Sequence, residues 1–368
     1  KIQGEGEEDS KLQVVGSSRV AQEADAVSLG VPENVRAVTD TLLSAVEEAT
    51  LPLEGAKAED AFLGLSGEMV SYLTTRMRLT RSNPEKEVSN KELKRIEDKA
   101  HQAAFLEADK ELAARKGRTD FEVAIINSAI ADVEVDGFPA TDPVGFKGEK
   151  VELSFFNAFA PQRRLYKLEG ILRSSRLRVQ AITSGMYAVL LGLLKEREDE
   201  DFSGLLIDVG GEKTDVGVVY ESAIVSSRTL PLGGTSFTEA IAREKSISLG
   251  DAERRKLSFS KEELDDNEVK EAINFVANIW AGGVKTALLD MQSVEALPNN
   301  IYLFGGGAEL ATLSEKLSEP SWTAKVPVHG SFNVRVLDPS SFKNCSVAAG
   351  KLESSAWVLP LALGYIDF

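Results

Sequence analysis

The stretch Leu205-Leu206-Ile207-Asp208-Val209-Gly210-Gly211-Glu212-Lys213-Thr214-Asp215 decides how the second half of this chain is read. Residues 205–209 are apolar apart from Asp208, the pattern of a strand buried on both faces. Asp208 falls at the carboxyl end of that strand, where a carboxylate suits a magnesium ion held through water. Gly210 and Gly211 let the backbone approach an anion closely, and successive N–H groups there make an anion nest. A plain β-hairpin with a capping aspartate fits the same stretch.

Two more glycine turns follow. Pro231-Leu232-Gly233-Gly234-Thr235 leads into a helix expected from about Phe237, an arrangement common beside phosphates and common as a turn. Tyr302-Leu303-Phe304-Gly305-Gly306-Gly307-Ala308-Glu309 sets three glycines between a buried strand and a helix from about Glu309. Such a turn leaves room for a flat ligand against the backbone, and it also reads as simple loop freedom. Between them, Asp251-Ala252-Glu253-Arg254-Arg255-Lys256 has the composition of a solvated helix face.

The chain has 368 residues, enough for two or more domains at roughly 100–200 residues each. Apolar residues make up 43%, the composition of a globular chain. Lys and Arg number 42, Asp and Glu 58, for a net charge of −16. That balance disfavours nucleic acid as a main partner, because phosphate backbones need a basic face. Cys345 is the one cysteine, so there is no disulfide framework within the chain and a reducing cytosol is expected. With His101 and His329 as the only histidines, a structural zinc site and a His-activated nucleophile both lack support. No stretch reads as the run of about 20 apolar residues that spans a bilayer. Lys1-Ile2-Gln3-Gly4-Glu5 has no secretory apolar core. Ile2 and Gln3 read as the tail of a strand already under way, so a longer natural chain is expected.

Periodicity predicts helices over 33–50, 162–172, 186–195 and about 269–291. Strands are predicted over 11–16, 61–66, 121–131, 151–159, 178–182, 205–209, 216–220, 223–230 and 301–304. Ser89 with Glu92, and Ser260 with Glu263, read as capping boxes that open helices. The charged run 196–201 reads as a domain boundary. Two halves that each mix strands and helices predict an α/β architecture with a ligand cleft between them.

In this order the three turns resemble the nucleotide motifs of the actin/Hsp70/sugar-kinase superfamily. The first resembles its second phosphate loop, D-x-G-G-G-T-T-D, and the third its adenosine motif. Asp251–Lys256 resembles the A-E-x-x-K helix of the bacterial actins. Within the superfamily the chain is similar to the cell-division actin homologue FtsA, from Leu12 to Gly364. The similarity is carried by Leu12–Gly16 and the helix after it, Phe62–Gly67, Val135-Asp136-Gly137 and Leu230–Thr235. The most discriminating piece is Asp142-Pro143-Val144-Gly145-x-x-Gly148, which Hsp70 and sugar kinases do not share.

The resemblance implies an α/β, actin-like two-domain fold of duplicated ribonuclease-H-like halves with an FtsA-type inserted subdomain 1C. The implied boundaries are 1–75 and 155–200 for subdomain 1A, and 76–154 for the inserted 1C. Subdomain 2A takes 201–232 and 301–349, 2B takes 233–300, and 350–368 returns to 1A. The implied ligand is ATP or ADP with Mg²⁺. Asp208 would hold the ion through water, and Gly210, Gly211, Glu212, Lys213 and Thr214 would surround the phosphates with Gly233 and Gly234. Glu253 and Lys256 would meet the ribose or adenine, and Gly305, Gly306 and Gly307 the adenosine.

The implied partners are further copies in a filament and the C-terminal peptide of the tubulin-like FtsZ. The implied location is cytoplasmic, peripheral on the inner face of the plasma membrane through a C-terminal helix not in this sequence. The family's first phosphate loop would end at Lys1. Glu212 and Lys213 stand where the family has Gly or Ala and Thr or Ser. A carboxylate beside a triphosphate is repelled unless a cation offsets it, so at most a slow ATPase is implied, and no catalytic residue is nominated. A pilus adaptor like PilM, which binds a membrane partner's peptide, is the second reading. A small-molecule kinase is the third, but it needs a general base that the sequence does not offer outside the phosphate motif.

Overall fold

The computed structural model describes residues 12–366 apart from 24, 29, 54, 56, 67–68, 117–121, 141, 197–201, 292–295, 325, 329 and 348–351. The expected boundary run at 196–201 therefore lies mostly outside the described residues, as do Phe121, the first residue of the expected strand 121–131, and Lys1. The first half opens with β1 (Leu12–Val14), β2 (Val27–Ser28), β3 (Val31–Pro32), α1 (Val35–Thr50) and β4 (Asp60–Leu65). An antiparallel unit follows: β5 (Ser71–Thr80), α2 (Asn90–Lys116), β6 (Val123–Val135), β7 (Phe138–Pro139) and β8 (Lys150–Pro161). The chain returns through α3 (Gln162–Ser174), β9 (Arg178–Ser184) and α4 (Gly185–Lys195). The second half holds β10 (Gly204–Val209), β11 (Thr214–Tyr220), β12 (Ala223–Leu230), α5 (Gly234–Lys245), α6 (Leu249–Ser260) and α7 (Asn267–Asp290). It ends with β13 (Asn300–Phe304), α8 (Ala311–Ser318), α9 (Pro320–Thr323), β14 (Asn333–Val336), β15 (Cys345–Val347) and α10 (Val358–Ala362).

The second half is built on a sheet ordered β12-β11-β10-β13-β14. β10 lies at its centre, antiparallel to β11 and parallel to β13. The apolar run of β10 has a direct cause. Leu205, Ile207 and Val209 face one core with Phe237, Trp280 and Val284 from α5 and α7. Leu206 faces the other way, into a core shared with Met186, Val189 and Phe342. The strand is thus the seam where the two halves meet, and its carboxyl end delivers Asp208 to the junction.

The antiparallel unit is a sheet ordered β5-β8-β6-β7 with α2 packed on it. Its core divides in two. Val88, Ile96, Ala100, Val135, Leu153 and Phe155 form one cluster, and Ala104, Ala108, Val123 and Phe159 the other. β5 and β8 run without a break across 75–76 and 154–155, the edges the sequence suggests for the insertion. The Asp142–Gly148 run is a clasp. Gly145 N–H donates to the Val88 carbonyl at 2.9 Å, Val88 N–H to Phe146 at 2.8 Å, and Gly148 N–H to Pro84 at 3.1 Å. The buried Arg81 bonds the Gly148 carbonyl at 2.9 Å and Glu92 at 2.8 Å. A Cβ at Gly148 would lie 2.5 Å from Val135 Cγ1, so the clasp closes only on glycine.

Two local expectations need correction. Ser260 does not open a helix; it is the last residue of α6, and α7 starts after Asp266, whose carboxylate accepts from the Glu268 and Val269 N–H groups. The Ser89 box does form: Ser89 Oγ accepts from the Glu92 N–H at 3.3 Å, and the Glu92 carboxylate, held chiefly by Arg81, also accepts from the Ser89 backbone N–H. Among the described residues α7 is long and apolar enough to cross a membrane by length and composition, contrary to the sequence reading. Val269, Ile273, Trp280, Val284 and Leu288 bury its inner face in the second-half core, which accounts for its apolar composition.

Candidate functional site

The first turn closes where Gly210 N–H donates to the Lys213 carbonyl at 2.9 Å. Asp208 and Asp215 are register partners across it. The second turn docks on the first. Gly234 N–H donates to the Gly210 carbonyl at 2.9 Å and Thr235 N–H to the Gly211 carbonyl at 2.7 Å. A Cβ at Gly233 would lie 2.5 Å from Gly211 O and 2.6 Å from both Gly210 O and Lys213 N. Only glycine lets these backbones touch. The amides that open α5 therefore fasten the two turns together, whereas the sequence suggests that they face phosphates.

α6 secures this junction from the far side. The buried Lys256 ammonium donates to the Gly234 carbonyl and to Thr238 Oγ1, both at 2.9 Å. It pairs with Glu253 at 2.8 Å, and Glu253 accepts from the Thr238 hydroxyl. The third turn comes in from β13. Gly305 has φ +89, and a Cβ there would lie 2.4 Å from Asp208 Oδ1 and 2.6 Å from Val209 O. Gly307 packs equally closely on Val209, with 2.4 Å from a Cβ to Cγ1. Gly306 has space: a Cβ would meet Ala356 Cβ at 3.7 Å and Arg19 Nη2 at 3.8 Å.

Asp208 is half-buried, and burial pushes its pKa from the ordinary 3.8 up to about 7, with the Asp215 charge adding to the rise and Lys213 opposing it. Asp215 is 4% exposed and accepts from the Thr229 hydroxyl at 2.5 Å. Tyr72 closes the same space from β5. Its hydroxyl lies 2.8 Å from Ser184 Oγ, and burial with the charges of Asp215 and Asp208 raises its pKa. Lys213 is buried and donates to the Ser66 carbonyl at 2.8 Å.

The structure thus gathers Asp208, Gly210, Gly211, Lys213, Gly233, Gly234, Glu253, Lys256, Gly305 and Gly307 into one connected constellation. Gly306 stands at its edge, and Glu212 is exposed in the first turn. Thr214 is the exception. Its hydroxyl donates to the Leu232 carbonyl at 2.7 Å and accepts from Trp280 Nε1 at 2.9 Å, so it braces the second-half core and does not face phosphates. Asp215, Tyr72, Ser184 and Ser66 were not nominated from sequence. Asp215 had a local signal as the partner of Asp208 across a tight hairpin; the other three come from distant segments.

The residues fit a phosphate group with a divalent ion. Two carboxylates against one ammonium make a negative centre, and the raised pKa of Asp208 marks a carboxylate that would gain from a cation. Among the described residues no group of three or more His, Cys, Asp or Glu side chains could hold a metal alone. Mg²⁺ is commonly bound by one or two carboxylates plus water and ligand phosphates, which matches this donor set.

Residues 205–350 match the family model described as Cell division protein FtsA, the region that carries all three turns. This chain resembles FtsA. FtsA of Pseudomonas aeruginosa is 24% identical over 258 residues, which cover 70% of this chain and 57% of the relative's own length. FtsA of Enterococcus hirae is 21% identical over 329 residues, covering 82% of this chain and 69% of the relative. The solved PilM-PilN type IV pilus biogenesis complex superposes with a TM-score of 0.65 at 20% identity, over 93% of this chain and 88% of that one. The fold is actin-like.

Proposed function

We propose that this chain is an FtsA-like actin-fold protein that binds Mg-ATP or ADP between its halves and uses the nucleotide chiefly as an assembly ligand. The observation that carries the reading is the convergence of three glycine turns at the carboxyl end of β10, the second docked on the first and the third against Asp208, at the seam where both halves meet. When bound, the ion would neutralise phosphate charge beside Asp208. Gly210 and Gly211 allow close approach, Gly305 leaves the space above the carboxylate clear, and Lys256 fixes the α5 end of the wall. Filament formation on the inner membrane face and capture of the FtsZ C-terminal peptide complete the proposal, with the subdomain boundaries implied by the resemblance.

Calorimetry with ATP and ADP, with and without Mg²⁺, tests the ligand. No heat with either nucleotide would reject it. Turnover is expected to be slow, because Glu212 is a carboxylate in the phosphate turn. Glu212→Gly is expected to bind ATP about 3–10-fold more tightly, the range that follows from removing one repulsive charge near the surface. Steady-state phosphate release at about 1–100 per second would instead favour the kinase reading.

The PilM-like adaptor is kept as a second reading because the superposition on that complex extends over 93% of the chain. Assembly separates the two. An actin-like filament repeats one heterologous contact that does not close. The net charge of −16 opposes it, and salt screens that charge with a Debye length of about 10 Å at 0.1 M. Sedimentation and negative-stain microscopy of the full-length protein on lipid with ATP should give filaments that strengthen with salt. Persistent monomers at high concentration would leave the adaptor.

A further inference from the structure

The phosphate turn reaches across the junction. Lys213 belongs to the second half, yet its ammonium donates to the Ser66 carbonyl, just beyond β4 in the first half, at 2.8 Å. The residue is 9% exposed. Gly30, in the β2–β3 turn with φ +81, covers it from another side: a Cβ there would lie 2.7 Å from Nζ. A lysine of one half is therefore enclosed by two backbone segments of the other.

The acceptor is what makes this contact exchangeable. A neutral carbonyl bonds an ammonium less strongly than a phosphate oxygen does, since the phosphate adds the attraction of a full opposite charge to the same hydrogen bond. Ser66 O also accepts from the Met69 N–H at 3.4 Å, so it keeps a partner when the lysine leaves. The lysine sits in the turn that carries Gly210 and Gly211, so a phosphate at those glycines lies within reach of a flexible four-carbon side chain.

We propose that Lys213 is a phosphate-exchanged latch. In the ligand-free chain it ties the two halves together through Ser66. A phosphate oxygen of a bound nucleotide takes over the ammonium, and the Ser66 segment is released. The inference rests on the nucleotide reading above. It adds that ligand occupancy loosens, rather than tightens, this point of contact between the halves.

Hydrogen–deuterium exchange of the full-length protein tests it, read on peptides that cover residues 26–33 and 62–71. Wild type, Lys213→Met and Lys213→Arg are compared without ligand, with Mg-ATP and with inorganic triphosphate, after thermal melts confirm that each variant folds. Without ligand, Lys213→Met should exchange about tenfold faster around Ser66 than wild type, the effect of one lost charge-assisted bond. Lys213→Arg should stay close to wild type. Saturating Mg-ATP should speed wild type to the rate of Lys213→Met and leave that variant unchanged, with triphosphate acting in the same direction. Equal ligand-free rates in wild type and Lys213→Met would overturn the latch. So would slower or unchanged exchange around Ser66 in a wild type that calorimetry shows to be saturated with ATP. Absence of any nucleotide or triphosphate binding would sink the nucleotide reading and the exchange step together, while the ligand-free comparison would still report the tie itself.

Discussion

Gly305→Ala is expected to lower the unfolding temperature and abolish nucleotide binding, whereas Gly306→Asp is expected to abolish binding alone. The two positions are adjacent but differ in what a side chain would meet. At 305 the backbone has φ +89, which costs a residue with a Cβ about 1–3 kcal/mol. The added carbon would also lie 2.4 Å from Asp208 Oδ1 and 2.6 Å from Val209 O, and overpacking of that kind costs about 1–3 kcal/mol more. Together the effect is about 2–6 kcal/mol, a large part of the roughly 5–15 kcal/mol typical of a folded domain. At 306 the nearest atoms are 3.7 and 3.8 Å from a Cβ, so the fold has room for a side chain. An aspartate there would fill the proposed adenosine wall and add a negative charge. Thermal melts with calorimetry on both variants check the pair. A Gly305→Ala protein that melts like wild type would show that the three turns are not locked together as described.

The parts legible in the sequence are those whose cause is local. The apolar run of β10 is readable because a strand between two cores must be apolar on both faces, and it is. The glycines at 233, 305 and 307 are readable as special positions, but the sequence assigns them to a ligand, whereas a Cβ at each would press on the backbone or a side chain of the first turn and β10. The Asp142–Gly148 run is readable as a motif, although only the structure reveals its physical role as a clasp on Arg81 and Val88. What stays hidden is set by partners far along the chain. Lys213 and Ser66 are 147 residues apart, and Tyr72 and Ser184 are 112 apart. Thr214 looks like a phosphate ligand by position in the turn, but it is the first residue of β11. There its side chain turns to Leu232 and Trp280. The Ser260 box fails for a competing reason: α6 is already running through that residue, and Asp266 offers a carboxylate cap to α7 a turn later.

Asp208→Asn is expected to stabilise the ligand-free protein at neutral pH and to remove the effect of magnesium. In the folded chain the Asp208 pKa stands at about 7 against an ordinary 3.8, because burial and the Asp215 charge disfavour its ionised form more than Lys213 favours it. Between about pH 4 and 7 the folded state therefore holds a proton that the unfolded chain has lost. Stability from this group is complete below pH 3.8 and is lost as pH rises through about 7. Other carboxylates titrate over part of the same range, so the informative quantity is the difference between wild type and variant at each pH. That difference should be near zero at about pH 4 and grow to about 2–4 kcal/mol in favour of the Asp208→Asn variant by about pH 8. Magnesium with nucleotide should recover part of the deficit in wild type, because a cation favours the ionised carboxylate, and should do nothing for the variant. Denaturant unfolding across that pH range, with and without Mg-ATP, measures both effects. A constant difference between the two proteins across the whole range would mean that Asp208 is ionised throughout in the folded state and is not the cation-seeking group of this site.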